Sequence, residues 1–289
     1  MDYALATDES IDEGIKRIYT DRLQQIIPTI RPPHQNLHEA IHDARRGFKF
    51  MRALIRLIKF SLEPEAYEQQ NHMFRDMGRF VSELRDLHVF ILLMQYVARE
   101  SHSVRPQDIE EGLNILQQQE KELLEEARDQ HRFEDMADRL EEVQNAFTEQ
   151  QGLPDQQSLL FPGLKEIYKK GRENYFRADE EGTKEQFHEW RKQVKYFMNA
   201  FQVLAHFWPG KLDIKGKSLA QLSDYLGEEH DLALLDDLLV DQDFRRHLGN
   251  IKAMRSYVDQ KRSFLQRSAL NLGGFIYSKT EEEFISFFN

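Results

Sequence analysis

Three short motifs occur twice in this 289-residue chain, in the same order and at nearly the same spacing. Gly14 to Tyr19 reads GIKRIY and Gly163 to Tyr168 reads GLKEIY. His42 to Lys49, HDARRGFK, matches His188 to Lys195, HEWRKQVK, and Arg85-Asp86-Leu87 matches His230-Asp231-Leu232. The steps between motifs are 28 and 44 residues in the first set and 25 and 43 in the second. Such order and spacing imply one structural unit used twice, so any fold proposed for half of the chain must serve for the other half.

That unit reads as helical. Ser10-Ile11-Asp12-Glu13 and Asn36-Leu37-His38-Glu39 have the cap-then-acid spacing that opens helices. Proline or glycine punctuates at Pro28, Pro32-Pro33, Pro64, Pro106, Gly152-Leu153-Pro154, Pro209 and Gly273-Gly274. Alternating strand patterns are scarce. The expectation is an all-α protein with helices near 10–28, 35–61, 65–100, 106–150, 159–178, 183–207, 212–240 and 243–271, the longer ones open to internal breaks. Eight segments in two sets of four predict two pseudosymmetric four-helix bundles from an internal duplication, residues 1–152 and 153–289, packed about a pseudo-twofold axis.

Composition narrows the chemistry. Zero cysteines exclude disulfides, thiolate catalysis and cysteine-ligated metal centres. No run of about 18 apolar residues is present, and MDYALATDES has neither the basic nor the apolar region of a signal peptide. The expectation is a soluble cytoplasmic protein with no membrane partner. The net charge of -11 is uneven, because residues 108–150 carry fourteen acids against four bases. Against that background Arg45 to Lys59 holds six basic residues and no acid.

The segment IHDARRGFKFMRALIRLIKF resolves into two interleaved faces. Ile41, Ala44, Phe48, Met51, Ile55, Ile58 and Leu62 step by three and four residues and form an apolar seam. His38, His42, Arg45, Lys49, Arg52, Arg56 and Lys59 follow one residue out of phase, about 100° around the helix. The positive stripe therefore borders the core. In the second copy Lys184, His188, Arg191, Lys195, Asn199, Gln202 and His206 trace a similar line, and Arg46 and Lys192 widen the two stripes. Exposed helix faces ordinarily mix signs. Here the like-charge pairs 45/49, 46/49, 49/52, 52/56 and 56/59 cost the isolated helix roughly 1–2 kcal/mol. A solvated face offset by acids on neighbouring helices is one reading; the pattern's recurrence beside a histidine favours an anion-binding surface.

The residues HDARRGFKFMR, LRDLHVF, FHEWRKQVKYF and YLGEEHDLALL resemble the conserved histidine α-helical domain, or CHAD, family over essentially the whole chain. The resemblance implies two pseudosymmetric four-helix bundles, non-catalytic binding of inorganic polyphosphate through basic side chains, and a cytoplasmic life, sometimes beside polyphosphate granules. It carries the family's histidine and basic set onto His42, Arg45, Arg46, Lys49 and Arg52, then onto His188, Arg191, Lys192 and Lys195. Arg85-Asp86 and Asp231 match its Arg-Asp motif. Tyr196 and Met198 stand where the family often has further bases, His230 replaces an arginine, and bases are displaced to Lys215 and Lys217, so weaker binding by the second half is expected. Arg56 extends the stripe, and Lys169, Lys170, Arg172, Arg75 and Arg79 are supplementary candidates. No cofactor and no metal are expected. The ligand suits these residues chemically: a polyphosphate offers only phosphate oxygens, which arginine forks and mobile lysines bind.

Four rivals use overlapping residues. Glu39-Ala40-Ile41-His42 and Glu185-Gln186-Phe187-His188 are both ExxH, the spacing of ferritin-like di-iron bundles, but adjacent Arg45 and Arg191 would repel a cation. Nucleic acid shares the basic stripe, yet no aromatic platform is interleaved with it; Phe48, Phe50 and Tyr196 are the nearest rings. A phosphohydrolase would need Asp86, Glu228, Glu229 and Asp231 to gather around Mg²⁺. A scaffold would meet a protein partner through the acidic 108–150 segment, which otherwise reads as a solvated amphipathic helix pair.

Overall fold

The computed structural model describes residues 3–34, 36–149, 152–207 and 213–288, with backbone alone for 213–215. The described residues are helical almost throughout and contain no strand. The helices are α1 (Ile11–Ile30), α2 (Leu37–Leu57), α3 (Pro64–Glu100), α4 (Glu110–Asp129), α5 (Arg132–Thr148), α6 (Phe161–Glu181), α7 (Lys184–Val203), α8 (Asp213–Val240), α9 (Gln242–Arg245), α10 (Ile251–Ile276) and α11 (Glu281–Ser286). Ser10 caps α1 in a full capping box with Glu13, Asn36 accepts from the Glu39 N–H at the head of α2, and Thr183 does the same for α7 through Gln186. These oxygens satisfy backbone donors that a helix start otherwise leaves open.

Two expected helices are broken. The 106–150 segment begins as a short 3₁₀ turn and divides at His131, whose φ of 53° reverses the chain between α4 and α5. The 243–271 segment divides near Asn250, at φ 36°, where the Gly249 N–H donates to the Asp108 carbonyl. Conversely, Gly273 and Gly274 do not stop α10, which runs on to Ile276. A Cβ on Gly273 would meet Tyr175 and Trp190 within 2.7 Å, so this glycine serves close packing. Pro28 likewise lies inside α1. The expected break at Pro209 lies outside the described residues.

In the first half α1, α2, α3, α4 and α5 pack in sequence, and α5 closes back onto α1. In the second half α6, α7, α8 and α10 pack in sequence, and α10 closes onto α6. Across the middle α2 packs on α7 and α3 on α8. One apolar cluster runs through both halves, from Ile15 and Phe48 to Trp190 and Phe284. A second cluster joins α3, α4, α8 and α10 through Met94, Leu116, Leu235 and Val258. The central position of α2 widens its buried face beyond the expected seam: Ala40, Phe50, Leu54 and Leu57 are buried in addition to Ile41, Ala44, Phe48, Met51, Ile55 and Ile58. No described helix is long and apolar enough to cross a membrane.

Candidate functional site

Where α2 crosses α7, two cavities of about 550 and 570 Å³ lie back to back. They share four lining side chains, Arg45 and Lys49 from α2 and Arg191 and Lys195 from α7. Each pair is spaced i,i+4, so both members point from one face of their helix. The two pairs are 146 residues apart, at matching places in the two motif sets. One cavity is walled by α3 and the other by α8.

Neutral oxygens orient the arginines without cancelling their charge. Arg45 Nε donates to Ser82 Oγ at 2.8 Å, and Ser82 Oγ donates to the Gly78 carbonyl at 2.7 Å. Arg52 Nε donates to Asn71 Oδ1 at 3.2 Å. Both acceptors sit on α3, so the guanidinium is held by its inner nitrogen and its outer nitrogens remain for a ligand. Arg52 and Arg56 also lie over the buried Tyr196 ring, 5.4 and 4.2 Å from its centroid. Arg191 is 6% exposed and its Nε is buried with no hydrogen-bond partner. Among the described residues no carboxylate forms an ion pair with Arg46, Lys49, Arg191 or Lys195.

Such crowding of cations shows in their acidity. Burial, then repulsion from Arg191, Arg45 and Lys195, holds the Lys49 ammonium well below the usual lysine range. Burial and Arg191 bring Lys195 down to about 8. Burial and Arg45 lower Arg191 to about 10, partly opposed by Asp231. Burial, Lys192 and Arg191 lower His188, whose Nδ1 lies 3.1 Å from the Nδ1 of His230. His230 is pushed far below the usual histidine range, first by burial and then by Arg191. The site stores like charges that lack counterions.

Most expected positions line these cavities. His42, Arg46 and Arg85 face the α8-side cavity; Arg52, Arg56, Arg79, His188 and Lys192 face the α3-side one. Four of them already lie against carboxylates: Arg85 in a bidentate pair with Asp231 at 3.0 and 2.9 Å and with Asp86 at 3.3 Å, Lys192 with Glu189 at 2.6 Å, Arg79 with Asp76 at 3.6 Å, and His42 Nδ1 with Asp43 at 3.5 Å. Lys169, Lys170, Arg172 and Lys217 line neither cavity. Lys170 pairs with Glu166, which also holds Lys59, and Arg172 lies over Phe176. The Lys215 side chain lies outside the described residues. Sequence reasoning missed Arg22, which enters the α8-side cavity from α1 and hydrogen-bonds Tyr3 at 3.2 Å. Its neighbour Asp21 hid it in a mixed-sign stretch. It also missed Ser82 and Ser223, polar groups with no charge to mark them; Ser223 Oγ is buried without a partner beside the α8-side cavity.

The rivals find less support in the geometry. Phe48, Phe50 and Tyr196 are buried, so none of these rings is open to stack on a base. Of the carboxylates proposed for Mg²⁺, Asp86 and Asp231 both pair with Arg85, Glu228 pairs with Lys261, and Glu229 with Arg262 and Gln266, and the four do not gather into a ligand set among the described residues. The two ExxH pairs do not gather into a ligand set among the described residues. The acidic α4 and α5 bury Leu116, Ala127, Phe133, Met136 and Leu140 and turn most of their acids to water.

The model of the CHAD domain matches residues 19–240. The crystal structure of the CHAD domain from the plant Ricinus communis aligns over 96% of this chain and 95% of that one, with a TM-score of 0.68 at 15% sequence identity. That likeness is one of fold. No curated protein matches the chain in sequence.

Proposed function

Because this chain belongs to the CHAD domain family, we propose that it binds inorganic polyphosphate, without turning it over, along the basic groove between α2 and α7. The observation that carries this reading is the meeting of Arg45, Lys49, Arg191 and Lys195 between two cavities with no carboxylate ion-paired to them among the described residues, Asp231, Asp86 and Asp224 acting only at longer range. Placing like charges together in a partly buried groove is unfavourable until an anion arrives. A chain of phosphates supplies anionic oxygens at close, regular intervals, and each charge-assisted hydrogen bond nets about 1.5–3 kcal/mol. Beside the four shared cations, the α3-side cavity has Arg52, Arg56, Arg75, Arg79 and Lys192 against Glu83 and Asp86, whereas the α8-side cavity has Arg22, Arg46 and Arg85 against Asp224 and Asp231. The strong side of the groove is therefore the α3 side. Duplication of a four-helix unit, with halves at 1–152 and 153–289, accounts for two matching pairs of cations at one crossing. A cytoplasmic location beside polyphosphate granules belongs to the same reading.

Titration with long-chain polyphosphate, single-stranded RNA and free phosphate at several salt concentrations tests it. Polyphosphate should bind most tightly, with affinity falling as salt rises, and no phosphate should be released with Mg²⁺ present. Arg45→Ala and Lys49→Ala should weaken binding and make its salt dependence shallower by about one released ion each, by analogy with nucleic acids. Equal affinity for RNA, or an unchanged salt slope, would contradict direct contact.

A further inference from the structure

One cluster outside the groove has the composition of a metal centre. His38 stands in the first turn of α2, His88 in the middle of α3 and Glu120 in α4. His88 Nδ1 is 3.0 Å and His38 Nδ1 3.6 Å from the same Glu120 Oε1, and one ligand atom from each residue lies within 4.8 Å of the others. Ligands bound tetrahedrally at about 2.0–2.1 Å are about 3.4 Å apart, and the two observed separations bracket that value. The three donors come from helices held together by packing of α2 on α3 and of α3 on α4. All three are half-buried.

The local electrostatics also differ from those of the groove. Among the described residues no lysine or arginine is paired with His38, His88 or Glu120. At the other histidine pair, His188 and His230, Arg191 acts on both rings and would repel a cation. In the second half the place of His38 is taken by Lys184, which donates to Asp237 at 2.5 Å. Among the described residues the ligand set therefore occurs once.

We propose that His38, His88 and Glu120 bind one divalent transition-metal ion of the zinc type, clamping α2, α3 and α4. Two imidazoles and a carboxylate suit such an ion better than Mg²⁺ or Ca²⁺, which prefer all-oxygen shells. Water completes the coordination. The two rings stack, with centroids 4.0 Å apart and planes at 18°. A metal lies in the plane of each imidazole that binds it, so binding turns one ring out of the stack by side-chain rotation.

The test is calorimetric titration of chelator-stripped, tag-free protein with Zn²⁺, and optical titration with Co²⁺, both without polyphosphate. The wild type should take up one equivalent, with intense four-coordinate Co²⁺ bands and a Zn²⁺-dependent rise in melting temperature. His88→Ala and Glu120→Gln should each weaken binding by at least about tenfold. His188→Ala should bind as the wild type does. The Glu120→Gln change keeps the side chain's shape, and circular dichroism confirms that it folds. Absence of stoichiometric uptake by the wild type, unchanged affinity in Glu120→Gln, or loss of binding in His188→Ala would each overturn the assignment.

Discussion

Lys195 concentrates the chemistry of the groove in one residue. Its ammonium titrates near 8, against about 10.5 for an exposed lysine, because it is buried and faces Arg191. A polyanion favours the charged form, so binding near pH 8 should draw a proton from solution. Affinity for polyphosphate is expected to fall as pH rises through 8 toward 10. Calorimetry in buffers of different ionisation enthalpy would register the uptake, and Lys195→Met should reduce it. The sign for folding is opposite. Between pH 8 and about 10.5 the unfolded chain holds more protons at this position than the folded one, so the unliganded fold should gain stability across that window. For the same reason Lys195→Met should stabilise the free protein by about 0.5–2 kcal/mol in urea while weakening polyphosphate binding. Loss of stability on that change would contradict stored repulsion. The positions of Arg45, Lys49, Arg191 and Lys195 were legible in the repeated motif, since charge and spacing are written in the chain. Their heightened acidity was not, because it depends on burial and on cations from the other half.

At the scale of helices, the glycine that opens each GIKRIY-type motif has different work in the two halves. A Cβ on Gly163 would stand 2.0 Å from the Leu57 carbonyl oxygen, so α6 lies directly on the end of α2. A Cβ on Gly14 would meet the Leu5 and Glu9 side chains at 2.5 and 2.7 Å. Leu5 in turn donates its N–H to the Val203 carbonyl, so the N-terminal segment before α1 reaches the end of α7. Backbone cannot yield as side chains can. Gly163→Ala should therefore cost about 1–3 kcal/mol, and Gly14→Ala distinctly less, by the shift of denaturation midpoints. Comparable losses would count against the direct backbone contact. Helix starts were readable from Ser10 and Asn36, whose side chains act within four residues. The breaks at His131 and Asn250 were not, since neither residue is a glycine or proline and each turn is held in place by the helices it joins.

Across the whole molecule, Arg85 and Asp231 tie α3 to α8 with two hydrogen bonds between residues 146 apart. Arg85 Nη1 also donates to Asp86 Oδ1 at 3.3 Å, and Arg45, Arg191 and Lys49 surround the group, so its two carboxylates lie within a positive region. Asp231→Asn removes the bidentate partner and leaves Arg85 only Asp86, at 3.3 Å, as counterion, and should destabilise the free protein by about 1.5–3 kcal/mol. Polyphosphate affinity should hold or rise, because the groove then gains a net positive charge. Weaker binding by this variant would mean that Asp231 positions the ligand-facing cations. Saturating polyphosphate should also raise the melting temperature: at a hundred times its Kd, a ligand confined to the native state adds about 2.7 kcal/mol. No rise at that concentration would contradict binding to the folded groove. The acids of α4 and α5 face solvent on the outside of the first half, which is how a chain of net charge -11 keeps a positive interior face.

Helix content, the places of most helix starts, the repeated motifs and the cation-bearing stripes followed from the amino-acid sequence alone, because capping, periodicity and charge act within a few residues of each other. Which stripes meet was decided by tertiary structure. Arg45 and Lys49 reach Arg191 and Lys195 only because α2 and α7 cross in one continuous core, and Ser82 and Asn71 orient two arginines only because α3 packs beside α2. His38, His88 and Glu120 likewise share no sequence pattern, and helix packing alone brings their donor atoms together.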